Sequence, residues 1–107
     1  MSLLRNISYI VTREQKSGNE IVIELSGRLD TTTAPALDKT VNSEIEGTKK
    51  LVLNFKSLEY ISSAGLRVLL GAQKKMQKLG SMKVTNVCEE VMEVFEMTGF
   101  ADILTIE

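Results

Sequence analysis

Ser62 and Ser63 stand together ahead of Ala64-Gly65-Leu66, where a β-rich stretch gives way to an amphipathic one. A helix that starts there leaves unpaired N–H groups and a partial positive charge at its first turn. A phosphate would be stabilised at that place, which suits a reversible phosphoserine. An N-cap hydroxyl is the plainer role for the same residues, and the spacing is compatible with both. A nucleophilic serine is not. The chain has no His to activate it, and the segment is not a G-x-S-x-G elbow.

The other reactive side chains divide in the same way. Asp30 follows a strand and precedes a helix, so it is a turn or cap carboxylate, or a functional group beside the serine loop. Glu89 and Glu90 suit a helix start, where acids match the dipole. Cys88 has no second Cys to pair with, and the acids after it disfavour a thiolate. A buried or capping Cys fits better. No G-x-x-x-x-G-K-[ST] or G-x-G-x-x-G occurs, so no nucleotide cofactor is expected. Without His there is no Ser-His-Asp or Cys-His chemistry and no His-ligated metal. No catalytic residue, metal site or cofactor is assigned.

Composition narrows the class. Apolar residues are 43% and charged residues 25% of 107, which is ordinary globular usage. One domain over residues 1–107 is expected. Thirteen Lys+Arg against fourteen Asp+Glu leave a net charge of −1, which does not favour nucleic acid. No apolar run approaches the ~20 residues of a membrane span, and no secretory signal opens the chain. A cytoplasmic, monomeric protein is expected. In that setting Asn6-Ile7-Ser8 is a chance match to a glycosylation acceptor.

The elements that would position these groups follow from period and punctuation. Ile7–Val11 and Ile21–Leu25 flank the turn cluster Lys16-Ser17-Gly18-Asn19 and form a hairpin. Gly27-Arg28-Leu29-Asp30 closes the second strand. Thr31, Thr32 and Thr33 offer N-cap hydroxyls, and Pro35 fits a first helical turn. Ala36, Leu37, Val41 and Ile45 share a face up to Gly47. Leu51–Phe55 is apolar on both sides, as a central strand would be. Ser57–Ile61 connects it to a helix reaching about Leu79, with Leu66, Leu69, Leu70, Met76 and Leu79 as its stripe. Arg67, Lys74, Lys75 and Lys78 lie mostly opposite, as a solvated face or a docking face. Met82–Val87 alternates as a strand. Cys88–Thr98 is a short helix with Val91, Val94, Phe95 and Met97 apolar, and Ile103–Ile106 adds a terminal strand. The order β-β-α-β-α-β-α-(β) predicts an α/β fold with a mixed sheet of about four to five strands and crossover helices. Sites in such folds lie beyond the carboxyl ends of strands, here the loops Gly27–Thr33 and Glu59–Gly65.

Taken in order, Gly27-Arg28-Leu29-Asp30, Thr33-Ala34, Leu37, Leu51-Val52-Leu53-Asn54, Tyr60-Ile61-Ser62-Ser63-Ala64-Gly65-Leu66-Arg67 and Val94–Phe100 resemble the STAS family. Within it the chain looks like the stand-alone bacterial anti-sigma factor antagonists. The resemblance implies a STAS fold and a switch protein that is not an enzyme. Its partners would be an anti-sigma factor that is also a serine kinase, and a serine phosphatase. Aligning Gly65-Leu66 with the family motif Asp-Ser-Ser/Thr-Gly-Leu implies Ser63 as the phosphate acceptor, with Ser62 in reserve. Ser62 then stands at the family Asp and Ala64 at the following Ser/Thr. The resemblance implies a partner surface of Asp30, Thr33, Ser62, Ala64, Gly65 and Arg67. A STAS subunit of a stress-sensing complex or of a lipid or anion transport system is the alternative. A small enzyme or cofactor binder on a flavodoxin-like sheet fits poorly, for want of His and a phosphate loop.

Overall fold

Alternation and glycine punctuation place the strands where the side chains can be buried. The computed structural model describes residues 9–107. Ile10–Ser17 is β1 and Glu20–Leu29 is β2, joined by the two-residue turn Gly18-Asn19. Gly18 has φ +62°, which the first central position of such a hairpin requires and glycine adopts freely. Ile7 and Ser8 of the expected first strand lie outside the described residues. Lys16 and Ser17, expected in the turn, instead pair with Ile21 and Glu20.

The remaining elements are α1 (Ala34–Glu44), β3 (Lys50–Ile61), α2 (Ser63–Leu79), β4 (Ser81–Thr85), α3 (Glu89–Thr98) and α4 (Phe100–Ile103). The sheet order is β1-β2-β3-β4. β1 is antiparallel to β2, and β2, β3 and β4 are mutually parallel. This is the mixed sheet with crossover helices that the sequence predicts. The outer edge of β1 carries Arg13, Glu14 and Lys16, all exposed.

β3 is central, and Leu51, Val52, Leu53 and Phe55 are all buried. The core joins Leu51, Leu53 and Phe55 to Ile21, Ile23, Leu25 and Leu29 of β2, to Leu37 and Val41 of α1, and to Leu66, Leu69 and Met76 of α2. Phe95 of α3 closes it, its ring centroid 6.3 Å from that of Phe55.

Several expectations need correction. Ser57–Ile61 is not a connector but the second half of β3. Between Glu24↔Asn54 and Leu29↔Ile61 the register slips twice, so β3 carries extra residues opposite β2. Bulges of this kind break the two-residue period. Leu58 and Ile61 are therefore both buried although three apart. Asn54 Oδ1 accepts the Lys56 N–H at 3.0 Å within this irregular stretch. In α1 the buried face uses Ala34, and Ala36 is exposed. In α2, Gly65 and Ala72 take the buried positions, Leu70 is half-buried and Leu79 is exposed. Met97 of α3 is 86% exposed. β4 stops at Thr85, and Asn86 turns left-handed with φ +57°. The terminal strand reduces to one parallel bridge, Val84↔Ile106, because Phe100–Ile103 is a helical turn.

Gly71 sits inside α2, and beyond its own helix backbone nothing among the described residues lies within 4 Å of where a Cβ would be. Glycine in a helix interior is destabilising relative to alanine. Gly71→Ala is expected to stabilise the protein by about 0.5–1 kcal/mol. A urea midpoint that rises at unchanged m-value checks this, and a fall would show that the position is sterically closed.

Candidate functional site

The parallel pairing of β2 and β3 brings two chain-distant loops to one place. Leu29 and Ile61 are the last paired residues, and the Ser62 N–H donates to the Leu29 carbonyl at 2.9 Å. Asp30 and Ser62 thus leave the same sheet end side by side, as the topology predicts. The expected loops are shorter than Gly27–Thr33 and Glu59–Gly65, because Gly27–Leu29 and Glu59–Ile61 belong to strands.

Asp30 is half-buried and organises its turn. Its Oδ1 accepts the Thr32 N–H at 3.0 Å, the Thr33 N–H at 3.2 Å and the Thr32 hydroxyl at 2.8 Å. Its own carbonyl accepts the Ala34 N–H at 2.8 Å. A short carboxylate that bonds the amides ahead of it is a standard way to satisfy a helix start. Thr33 occupies the N-cap position of α1 without capping. Its hydroxyl donates to the Arg28 carbonyl at 2.6 Å and accepts the Asp30 N–H at 2.9 Å. Thr33 is 6% exposed, so it shapes the loop from inside.

The serine pair divides sharply. Ser62 holds the N-cap position of α2 with extended backbone, yet its side chain makes no cap bond. Its Oγ is buried without a hydrogen-bond partner. Ser63 is the first helical residue and is exposed. No acidic side chain stands in the first turn of α2. The helix start therefore presents uncompensated positive character beside an accessible hydroxyl.

Gly65 is buried one turn further. A Cβ there would lie 2.7 Å from Leu29 Cγ and 2.8 Å from Ile61 Cγ1. Its missing side chain lets α2 sit directly on the ends of β2 and β3, which sets the height of Ser63. Ala64 and Arg67 line a groove of about 390 Å³ between α1 and α2, with Thr31, Pro35, Asp38 and Val68. Thus Ala64 and Arg67 reach the surface, while Thr33 and Gly65 support it from within.

The sequence does not single out one feature of this end. The Arg28 guanidinium lies 4.1 Å from the Tyr60 ring centroid, a cation–π contact between paired strands. Neither residue type announces such a pair, because the bulges in β3 decide that Tyr60 faces Arg28. Cys88 holds the N-cap position of α3, half-buried, with its Sγ 3.6 Å from the Leu58 carbonyl. Among the described residues no group of His, Cys, Asp and Glu could hold a metal ion. No described helix is long and apolar enough to cross a membrane.

Comparison with known proteins places this geometry in context. The family model described as STAS domain matches residues 9–107. The chain is 31% identical over 93 residues to the "Anti-sigma-B factor antagonist" of Bacillus subtilis, covering 86% of this chain and 85% of that protein. The crystal structure of an anti-sigma factor antagonist from Mycobacterium paratuberculosis has a TM-score of 0.84 at 23% identity, over 92% of this chain and 85% of that one. The structure of the Bacillus cell fate determinant SpoIIAA in its phosphorylated form has a TM-score of 0.71 at 19% identity, over 91% of each chain. At these identities the two structures share the fold.

Proposed function

The chain belongs to the STAS domain family, and on that premise we propose that it is an anti-sigma factor antagonist controlled by phosphorylation of Ser63. It binds an anti-sigma factor that is also a serine kinase, and so releases a sigma factor. A serine phosphatase restores the binding form. The protein acts in the cytoplasm as a monomer, uses no cofactor and catalyses no reaction of its own.

One observation carries this reading. An exposed serine opens α2 beside the Asp30 turn, in a chain similar along 86% of its length to an anti-sigma factor antagonist. The choice of Ser63 over Ser62 has a physical basis. A kinase needs a hydroxyl it can reach, and the Ser62 Oγ is buried whereas Ser63 is exposed. Transfer breaks the terminal phosphoanhydride bond of ATP and the Oγ–H bond, forms Oγ–P, and releases ADP and a proton. The new group adds a charge of about −1.5 to −2 at the helix start, where it is tolerated by the fold. The same charge faces the partner, which binds less well through repulsion and lost packing.

The test is a pull-down from the native cell, followed by incubation of the bound pair with ATP and peptide mapping. A single phosphate on Ser63 is expected, with Ser63→Ala still binding and unlabelled. Label on Ser62 alone would move the site by one residue. A bound, active kinase that labels neither serine would leave a constitutive binding module.

A further inference from the structure

Arg67 stands four residues after Ser63, on the same face of α2, and both are exposed. Side chains at that spacing are surface neighbours with Cβ atoms about 5–6 Å apart. α2 contains no Asp or Glu from Ser63 to Leu79. The ion pairs among the described residues are Lys16–Glu44 and Lys83–Glu107, and Arg67 takes part in neither. No hydrogen bond or ring contact among the described residues engages it either. Its guanidinium is an uncommitted fork of donors, one turn from the hydroxyl.

We propose that Arg67 is the intramolecular clamp of the phosphorylated state, drawn onto the phosphate of Ser63 and out of the groove between α1 and α2. Its regulatory meaning rests on Ser63 being the acceptor. The chemistry favours arginine for this task. A planar guanidinium meets phosphate oxygens with two parallel N–H···O bonds, whereas an ammonium acts as a point charge. Asp38 across the groove acts in the opposite sense and disfavours a phosphate dianion. Arg28, also at this sheet end, is held over Tyr60. The clamp makes the modification act twice, since it adds negative charge and also withdraws the one cation that the described residues supply to the groove wall.

The experiment needs no kinase. Phosphoserine is installed at position 63 of the full chain during translation, and its phosphorus NMR signal is titrated. The second ionisation of free phosphoserine lies near pH ~6. In the Arg67 protein it is expected below that of the Arg67→Gln variant by about 0.3 unit or more at low salt. Arg67→Lys should fall between, and added salt should narrow the difference. The Arg67 Nε–H signal is expected to shift and sharpen on phosphorylation. Equal ionisation in the Arg67 and Arg67→Gln proteins, with an unmoved Nε–H signal, would overturn the clamp. Failure of the Ser63 reading shows differently, as a bound and active kinase that leaves Ser63 unlabelled.

Discussion

Ser63→Asp is expected to leave the fold intact and to weaken binding to the anti-sigma factor at least tenfold, on the order of 1.4 kcal/mol or more. The two halves have separate causes. Ser63 is exposed at the first position of a 17-residue helix, so an aspartate there meets no neighbour it must displace. It adds a negative charge to a first turn that has none. That change favours the helix by about 0.3–1 kcal/mol. Binding changes because the same charge is carried into an interface that must desolvate it, and like-charge or unpaired-charge contacts cost several-fold more than the cap contributes. Calorimetric titration of the partner with the wild-type, Ser63→Asp and Ser63→Asn proteins separates charge from shape. Asn should bind nearly as Ser does. Unchanged affinity for Asp would remove Ser63 from the partner surface, and a collapsed melting temperature would make it a folding residue instead.

The largest effect on stability is expected at Phe55. Its side chain is fully buried in the central strand and packs against Phe95, with planes tilted by 41°. Phe→Ala at such a site removes both the burial and the ring contact and leaves a cavity, at a cost of about 3–5 kcal/mol. Domains of this size are stable by only about 5–15 kcal/mol, so the variant should sit near the edge of folding. Denaturant titration followed by far-UV circular dichroism and by amide exchange measures it. Exchange should rise first in α3, which loses its anchor at Phe95. A loss under about 1 kcal/mol would mean that the ring contact is not central to the core.

The sequence was legible where its period was intact. The second strand, the first half of β3 and the start and stop of α2 all follow from alternation, β-branching and glycine, because each is a local consequence of side-chain geometry. The first strand, expected at Ile7–Val11, instead runs Ile10–Ser17 through a polar stretch without that period. The second half of β3 was not legible. Lys56, Ser57, Glu59 and Tyr60 look like a loop, and the bulges space Leu58 and Ile61 by three. That spacing depends on the partner strand, which no local pattern contains. Ala34 and Ala36, or Leu70 and Ala72, differ in burial by where the helix meets the sheet, again a tertiary matter. At the site, parallel topology read from the sequence correctly places Asp30 and Ser63 at one sheet end, at adjacent loops. It could not tell which serine is reachable. That depends on the extended backbone of Ser62, which turns its Oγ inward.

The charged outer strand has a consequence for how the protein behaves at high concentration. Two copies could zip their β1 edges together only antiparallel, about a two-fold axis normal to the sheet, if their cores are to stay on one side. Matching faces restricts which residues meet. The two registers that pair the most residues set Arg13 against Arg13, or Glu14 against Glu14. Like charges directly opposite oppose such pairing. Over the described residues the β1 edge is thus a poor template for its own kind. A regulator whose output depends on the ratio of antagonist to anti-sigma factor gains from this, because its active concentration stays proportional to the amount made.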